Sequence, residues 1–248
     1  MANASTIRAG AEGPAQAGQY ESTRIEGGIT APLGFTSAAL HCGIKAKAGV
    51  LDLTVVSAAQ PVAAAGLFTL NLAQAAPVLI SKRNLEQTAG MARAIVINSG
   101  CANACTGTQG YADAETMARE VASALGCSPE DILVASTGVI GVNLNMGKVT
   151  PGIRTAVSQL SRGKGADVAR AIMTTDPFPK EAAATATGAA GTITVGGMCK
   201  GSGMIEPRMA TMLGFLATDA DVAPDVLGRA LRRVVDETFN AITVDGEC

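Results

Sequence analysis

From Gly28 onward, glycine and proline cut the chain into short apolar runs, and that spacing constrains the fold more than any other feature. Runs of this length between turn residues read as β-strands. Seven are expected, at residues 51–56, 66–70, 94–98, 132–135, 192–195, 212–217 and 241–244. Helical periodicity interleaves with them. Residues 112–125 place Ala114, Met117, Ala118, Val121 and Leu125 on one stripe, with Gly126 as the residue that ends the helix. Residues 148–160 repeat Val149, Ile153, Ala156 and Leu160, with Pro151 in the first turn. Residues 224–239 open on Pro224 and repeat Val226, Leu227, Ala230, Leu231, Val234 and Val235, and a shorter helix is expected over 166–173. Strands and helices mix without strict βαβ alternation, which predicts an α+β fold of packed layers rather than a doubly wound sheet.

Composition limits the partners. The 248 residues are 48% hydrophobic and 16% charged, enough for one large domain or two small ones. A net charge of −2, two Tyr, five Phe and no Trp give no electrostatic or stacking case for nucleic acid, nor for an anionic membrane. Residues 1–27 read as a loose, flexible arm of Ala, Gly and Ser with no apolar core of about 7–15 residues that would make it a secretory signal. No run approaches the roughly 18 apolar residues of a spanning helix. The expectation is a soluble cytoplasmic protein. The six cysteines include Cys101-Ala-Asn-Ala-Cys105, but no second pair or histidine completes four ligands, so reduced thiols are expected rather than zinc.

The chemistry converges on Ala210–Thr211. A small residue precedes a threonine that opens an apolar run, just after Lys200-Gly-Ser-Gly and a proline. A cut at that bond would leave Thr211 with a hydroxyl nucleophile and a free α-amine, which titrates near pH ~7.7–8.0, to act as its base. The uncut alternative is that Thr211 only begins a buried strand. Ser136-Thr137-Gly138 follows the strand at 132–135, where a turn can present backbone N–H groups to an oxyanion or can be an ordinary turn. The loop of residues 98–107 offers Asn and Thr side chains to a polar substrate or to its own backbone. Thr174-Thr175-Asp176 ends a helix before Pro177, and Lys200 is a lone cation suited to a substrate carboxylate or to the surface. The only histidine is His41, and no Ser or Cys elbow motif accompanies it, so a hydroxyl nucleophile here needs another base.

In this order the segments resemble the ornithine acetyltransferase family, the glutamate N-acetyltransferases of the cyclic arginine pathway. The matching pieces are Gly34-Phe35, His41-Cys42-Gly43, the 98–107 loop, Ser136-Thr137-Gly138-Val139-Ile140-Gly141, Thr174-Thr175-Asp176, Lys200-Gly-Ser-Gly-Met, Met209-Ala-Thr-Met-Leu213 and Phe239-Asn-Ala-Ile-Thr-Val-Asp-Gly246. The resemblance implies a layered α/β/β/α sandwich and self-cleavage between Ala210 and Thr211. It divides the chain into an α-subunit-like region (28–210) and the start of a β-subunit-like region (211–248). It implies that Thr211 takes acetyl from N-acetylornithine and passes it to glutamate through an acetyl-enzyme. Thr137 and Gly138 match the oxyanion pair, and Thr174, Lys200 and Thr211 match substrate-binding positions. No cofactor is expected, with acetyl-CoA open as a second acetyl donor. The α and β pieces would pair as a heteromer and assemble further.

Three departures stand against the pattern: Arg208 where a small polar residue is usual, Pro177 where threonine is common, and length. Family members continue well past Asp245-Gly246, so a chain of 248 residues is expected to hold the nucleophile and oxyanion hole but only part of the pocket, with poor activity. Two other readings stay open. One is a related self-processing amidase or peptidase; the other is an inactive fragment of the family.

Overall fold

Two of the apolar runs are buried on both faces, and this decides the architecture. The computed structural model describes residues 20–206 and 211–246. In chain order the elements are β1 (Glu21–Ile25), β2 (Phe35–Leu40), β3 (Leu53–Ala63), α1 (Ala76–Gln87), β4 (Met91–Cys101), α2 (Gly107–Leu125), β5 (Ile132–Val139), α3 (Met146–Ser158), α4 (Gly165–Ala171), β6 (Lys180–Gly188), β7 (Gly191–Lys200), β8 (Leu213–Thr218) and α5 (Pro224–Glu237). They form two four-stranded sheets, ordered β2-β3-β4-β5 and β1-β6-β7-β8. All pairs are antiparallel except β4 with β5.

Side chains alternate across a strand, so β3 and β4 feed two cores. Val55 and Val96 face α1, α2 and α3, joining Ile80, Met117, Val121, Val149 and Ile153. Val56 and Ile97 face the other way, against Met198 of β7, Ala217 of β8, Val168 of α4 and Ile172 just after it. The layers are therefore helices, sheet, sheet, with α4 wedged beside the inner interface. Helix α5 contributes one buried residue, Val235, and leaves Val226 and Val234 exposed.

Several expectations are corrected. The arm of residues 1–27 is not loose throughout: residues 21–25 form β1, an edge strand exposed along its whole length and held by pairing with β6. Residues 1–19 lie outside the described residues. Residues 66–70 form no strand, because both edges of the preceding strand β3 are already taken by β2 and β4. Residues 241–244 form no strand either; they end a 3₁₀ turn and meet a loop instead of a sheet edge, with Val244 N–H donating to Ile205 O at 3.0 Å. Pro151 sits inside α3, which starts earlier than expected, at Met146. Gly126 does end α2, at φ +68°.

Among the described residues, Cys42, Cys101, Cys105, Cys127 and Cys199 are free thiols. No group of three or more His, Cys, Asp or Glu among them is arranged to hold a metal ion. No described helix is long and apolar enough to cross a membrane.

Candidate active site

The Ser136-Thr137-Gly138 segment closes β5 against the end of β4. The ladder is irregular there: Gly138 faces Gly100, and Cys101 faces both Thr137 and Val139. Gly138 has φ +131°, and a Cβ on it would lie 2.4 Å from the Gly100 carbonyl carbon, so only glycine fits. Asn98 fixes the turn from behind. Its amide nitrogen donates to Cys101 O at 2.8 Å, and its oxygen accepts from Ser136 Oγ at 2.6 Å. Thr137 is buried.

The 98–107 loop settles its own question. Asn98, Asn103 and Thr106 all bond within the protein: Asn103 donates to Gly110 O at 2.8 Å and accepts from Thr106 Oγ1 at 2.8 Å. These hydrogen bonds build the loop. A cavity of about 340 Å³ borders its start, between Gly43, Ile44, Gly100, Cys101 and Val139.

A second cluster gathers on the other sheet. Lys200, at the end of β7, is 5% exposed, and its Nζ donates to Thr211 O at 2.6 Å. Burial pulls its pKa down to about 8, against the upward pull of the Asp176 carboxylate. Asp176 is the hub. Its carboxylate accepts the Gly201 N–H at 2.8 Å, the Thr174 N–H at 3.2 Å and the Lys180 ammonium. Burial alone would raise this carboxyl, but those hydrogen bonds outweigh it and hold it below the usual range. Thr175 and Ser202 share a 2.9 Å hydroxyl contact, tying the same two turns together. Thr211, exposed just before β8, donates its N–H to Met204 O at 3.3 Å and its hydroxyl to the same oxygen at 3.0 Å. Ala210 and Arg208 lie outside the described residues.

Lys45 links the two groups. Its stem packs over Gly100, and its ammonium donates to Met173 O at 2.8 Å, next to Thr174. Burial lowers its pKa, with Asp52 and Asp176 pulling it back up. Ser99 Oγ donates to Ala171 O, anchoring the end of α4 to β4. Asp52, fully buried, accepts four consecutive backbone N–H groups from Cys42 to Lys45 and so fixes the loop that carries Lys45. Thr174, Lys200 and Thr211 are thus brought into one hydrogen-bonded cluster. Thr137 and Gly138 lie beyond Lys45 and Gly100, and no hydrogen bond among the described residues joins them directly to Thr211. Asp176 lay within a recognised motif, whereas Lys45 and Asp52 carried no sequence signal beyond being charged residues near strand ends.

Two facing sheets, helices outside one of them, and a threonine at the head of an edge strand beside a buried lysine define a layered α+β sandwich with its polar cluster at the strand ends. The sequence profile of the ArgJ family matches residues 36–248, and the chain belongs to that family. It is 53% identical over 224 residues to the arginine biosynthesis bifunctional protein ArgJ of Symbiobacterium thermophilum, covering 90% of this chain and 55% of that protein. To the protein of the same name from Thermosynechococcus vestitus it is 49% identical, covering 90% and 53%. The chain therefore spans about half the length of the curated relatives it matches. Among solved structures, ArgJ of Bacillus halodurans superposes with a TM-score of 0.70 at 35% identity, over 78% of this chain and 99% of that one. The ornithine acetyltransferase of Mycobacterium tuberculosis, solved with ornithine, superposes at 0.69 and 40% identity, over 78% and 100%.

Proposed function

We propose that this chain carries the nucleophile of a self-cleaving acetyltransferase of arginine biosynthesis, which moves acetyl from N-acetylornithine to glutamate. The observation that carries the reading is Thr211 at the head of β8, its carbonyl bound to the buried Lys200 ammonium, in a chain of the ArgJ family. In the first stage Thr211 Oγ attacks the Ala210 carbonyl carbon and the C–N bond breaks. The hydroxyl proton passes to the departing nitrogen, and water hydrolyses the ester.

In the second stage the freed α-amine takes the Oγ proton as Oγ attacks the acetyl carbon of N-acetylornithine. Ornithine leaves with a proton, and the glutamate amine then attacks the acetyl ester and restores Thr211. Thr137 and Gly138 serve as oxyanion donors, and Thr174 and Lys200 hold substrate. The acetyl group comes from one substrate and passes through the Thr211 ester to the other, so the scheme calls for no cofactor. The two pieces remain together as an α/β heteromer within a larger assembly, and the free thiols suit the reducing cytoplasm.

The test is an assay of N-acetylornithine with glutamate, with acetyl-CoA as a separate donor arm. Acetylglutamate formed with ping-pong kinetics supports the reading. Free acetate as the main product would indicate an amidase, and a sequential pattern would contradict the covalent intermediate.

A further inference from the structure

The segment after α5 doubles back onto the loop that receives Thr211. Asp245 Oδ2 accepts the Met204 N–H at 2.6 Å, and Oδ1 accepts the Ile205 N–H at 2.9 Å. Val244 N–H donates to Ile205 O at 3.0 Å, and Thr243 Oγ1 donates to the Glu206 carboxylate at 2.9 Å. Met204 itself has φ +54°, a left-handed conformation that costs a side-chain-bearing residue more than glycine and persists where its surroundings enforce it. In that conformation the Met204 carbonyl accepts both the Thr211 N–H and the Thr211 hydroxyl. One residue is thus gripped on its N–H by Asp245 and on its oxygen by Thr211.

We propose that Asp245 is a positioning residue for Thr211: its carboxylate holds Met204 in the left-handed conformation that turns the Met204 carbonyl onto the nucleophile. Charge-assisted bonds from two adjacent N–H groups suit a carboxylate to this hold. The inference rests on the proposed self-cleavage for what Thr211 does, and it adds a consequence. After scission Asp245 belongs to the piece that begins at Thr211, while Met204 and Ile205 belong to the other, so the same two bonds span the cut.

Two measurements test it. The first follows scission of the purified chain by intact mass for wild type, Asp245→Asn, Asp245→Ala and Asp245→Ala with Met204→Gly. Asp245→Ala should slow scission on the order of ten- to a hundredfold, the effect of losing hydrogen bonds to a charged group. Asp245→Asn, which keeps one acceptor oxygen, should fall between, and Met204→Gly should restore part of the rate because glycine adopts this conformation unaided. The second is amide hydrogen exchange at Met204 and Ile205 in the uncleavable Thr211→Ala chain, where Asp245→Ala should remove their protection. Scission of Asp245→Ala at the wild-type rate, failure of Met204→Gly to rescue, or unchanged exchange each overturns the proposal. A wild-type chain that stays whole refutes the self-cleavage reading instead, and exchange then decides the clamp by itself.

Discussion

Lys200 lies in a low-dielectric site with its ammonium on the Thr211 carbonyl, and its pKa of about 8 places its charge change close to working pH. In the proposed reaction the charged form pairs with a substrate carboxylate, so the KM for glutamate should rise as pH passes upward through about 8. A Lys200→Met variant should have a high KM without that inflection. Folding lowers this pKa from 10.5, so between about 8 and 10.5 the unfolded chain binds more protons and stability rises with pH. Urea midpoints across that window should climb more for wild type than for Lys200→Met; equal slopes would refute a buried lysine. At the other cluster, Thr137→Ala should fold yet lose about 10²–10³ in acetyl-transfer rate, the usual effect of removing one oxyanion donor. Gly138→Ala should be destabilised as well, since its Cβ meets the Gly100 backbone. Thr137, Gly138, Thr174, Lys200 and Thr211 were legible as candidates because each stands in a motif with a chemical use. Asp52 was not, and Asp245 stood in a matching segment without a role assigned to it, because accepting backbone N–H groups is work that no spacing of side chains announces.

At the scale of elements, α1 shows why a helix escapes its own periodicity. Its buried face carries Ser81 and Asn84 where an apolar stripe would be expected. Ser81 Oγ accepts the Val134 N–H at 2.8 Å and donates to Val134 O at 2.7 Å, while Asn84 donates to Ile132 O at 2.8 Å. These residues satisfy the open edge of β5, which would otherwise be left with unpaired groups under a helix. Ser81→Ala and Asn84→Leu should therefore each cost about 1–3 kcal/mol in urea unfolding, whereas Val234→Ala on the exposed face of α5 should change stability by less than about 0.5 kcal/mol. Comparable losses at all three positions would contradict this division. The strands β1, β2 and β6 were hidden for a related reason. Alanine-rich or charged runs such as Lys-Glu-Ala-Ala-Ala-Thr-Ala-Thr-Gly carry little strand preference, and pairing imposes the extended form: β6 lies between β1 and β7, while β1 and β2 each pair along one edge. Helices α2 and α3 were readable because each packs one clean apolar face on a sheet, and the α4 stretch was placed as well.

Across the whole molecule, the two candidate groups sit on different sheets: Gly138 at the end of β5, and Lys200 and Thr211 where β7 gives way to β8. Lys45 and the turn after α4 hold them in register, so the site depends on how the sheets stack and not on any one segment. That dependence explains why the sequence revealed the candidates but not the links among them. Sequencing the N-termini in the purified protein, alongside its Thr211→Ala variant, tests the central claim most directly. A second chain beginning at Thr211 in the wild type and absent from the variant is the predicted result. An intact wild-type chain, or a cut at that bond in the variant as well, would contradict it.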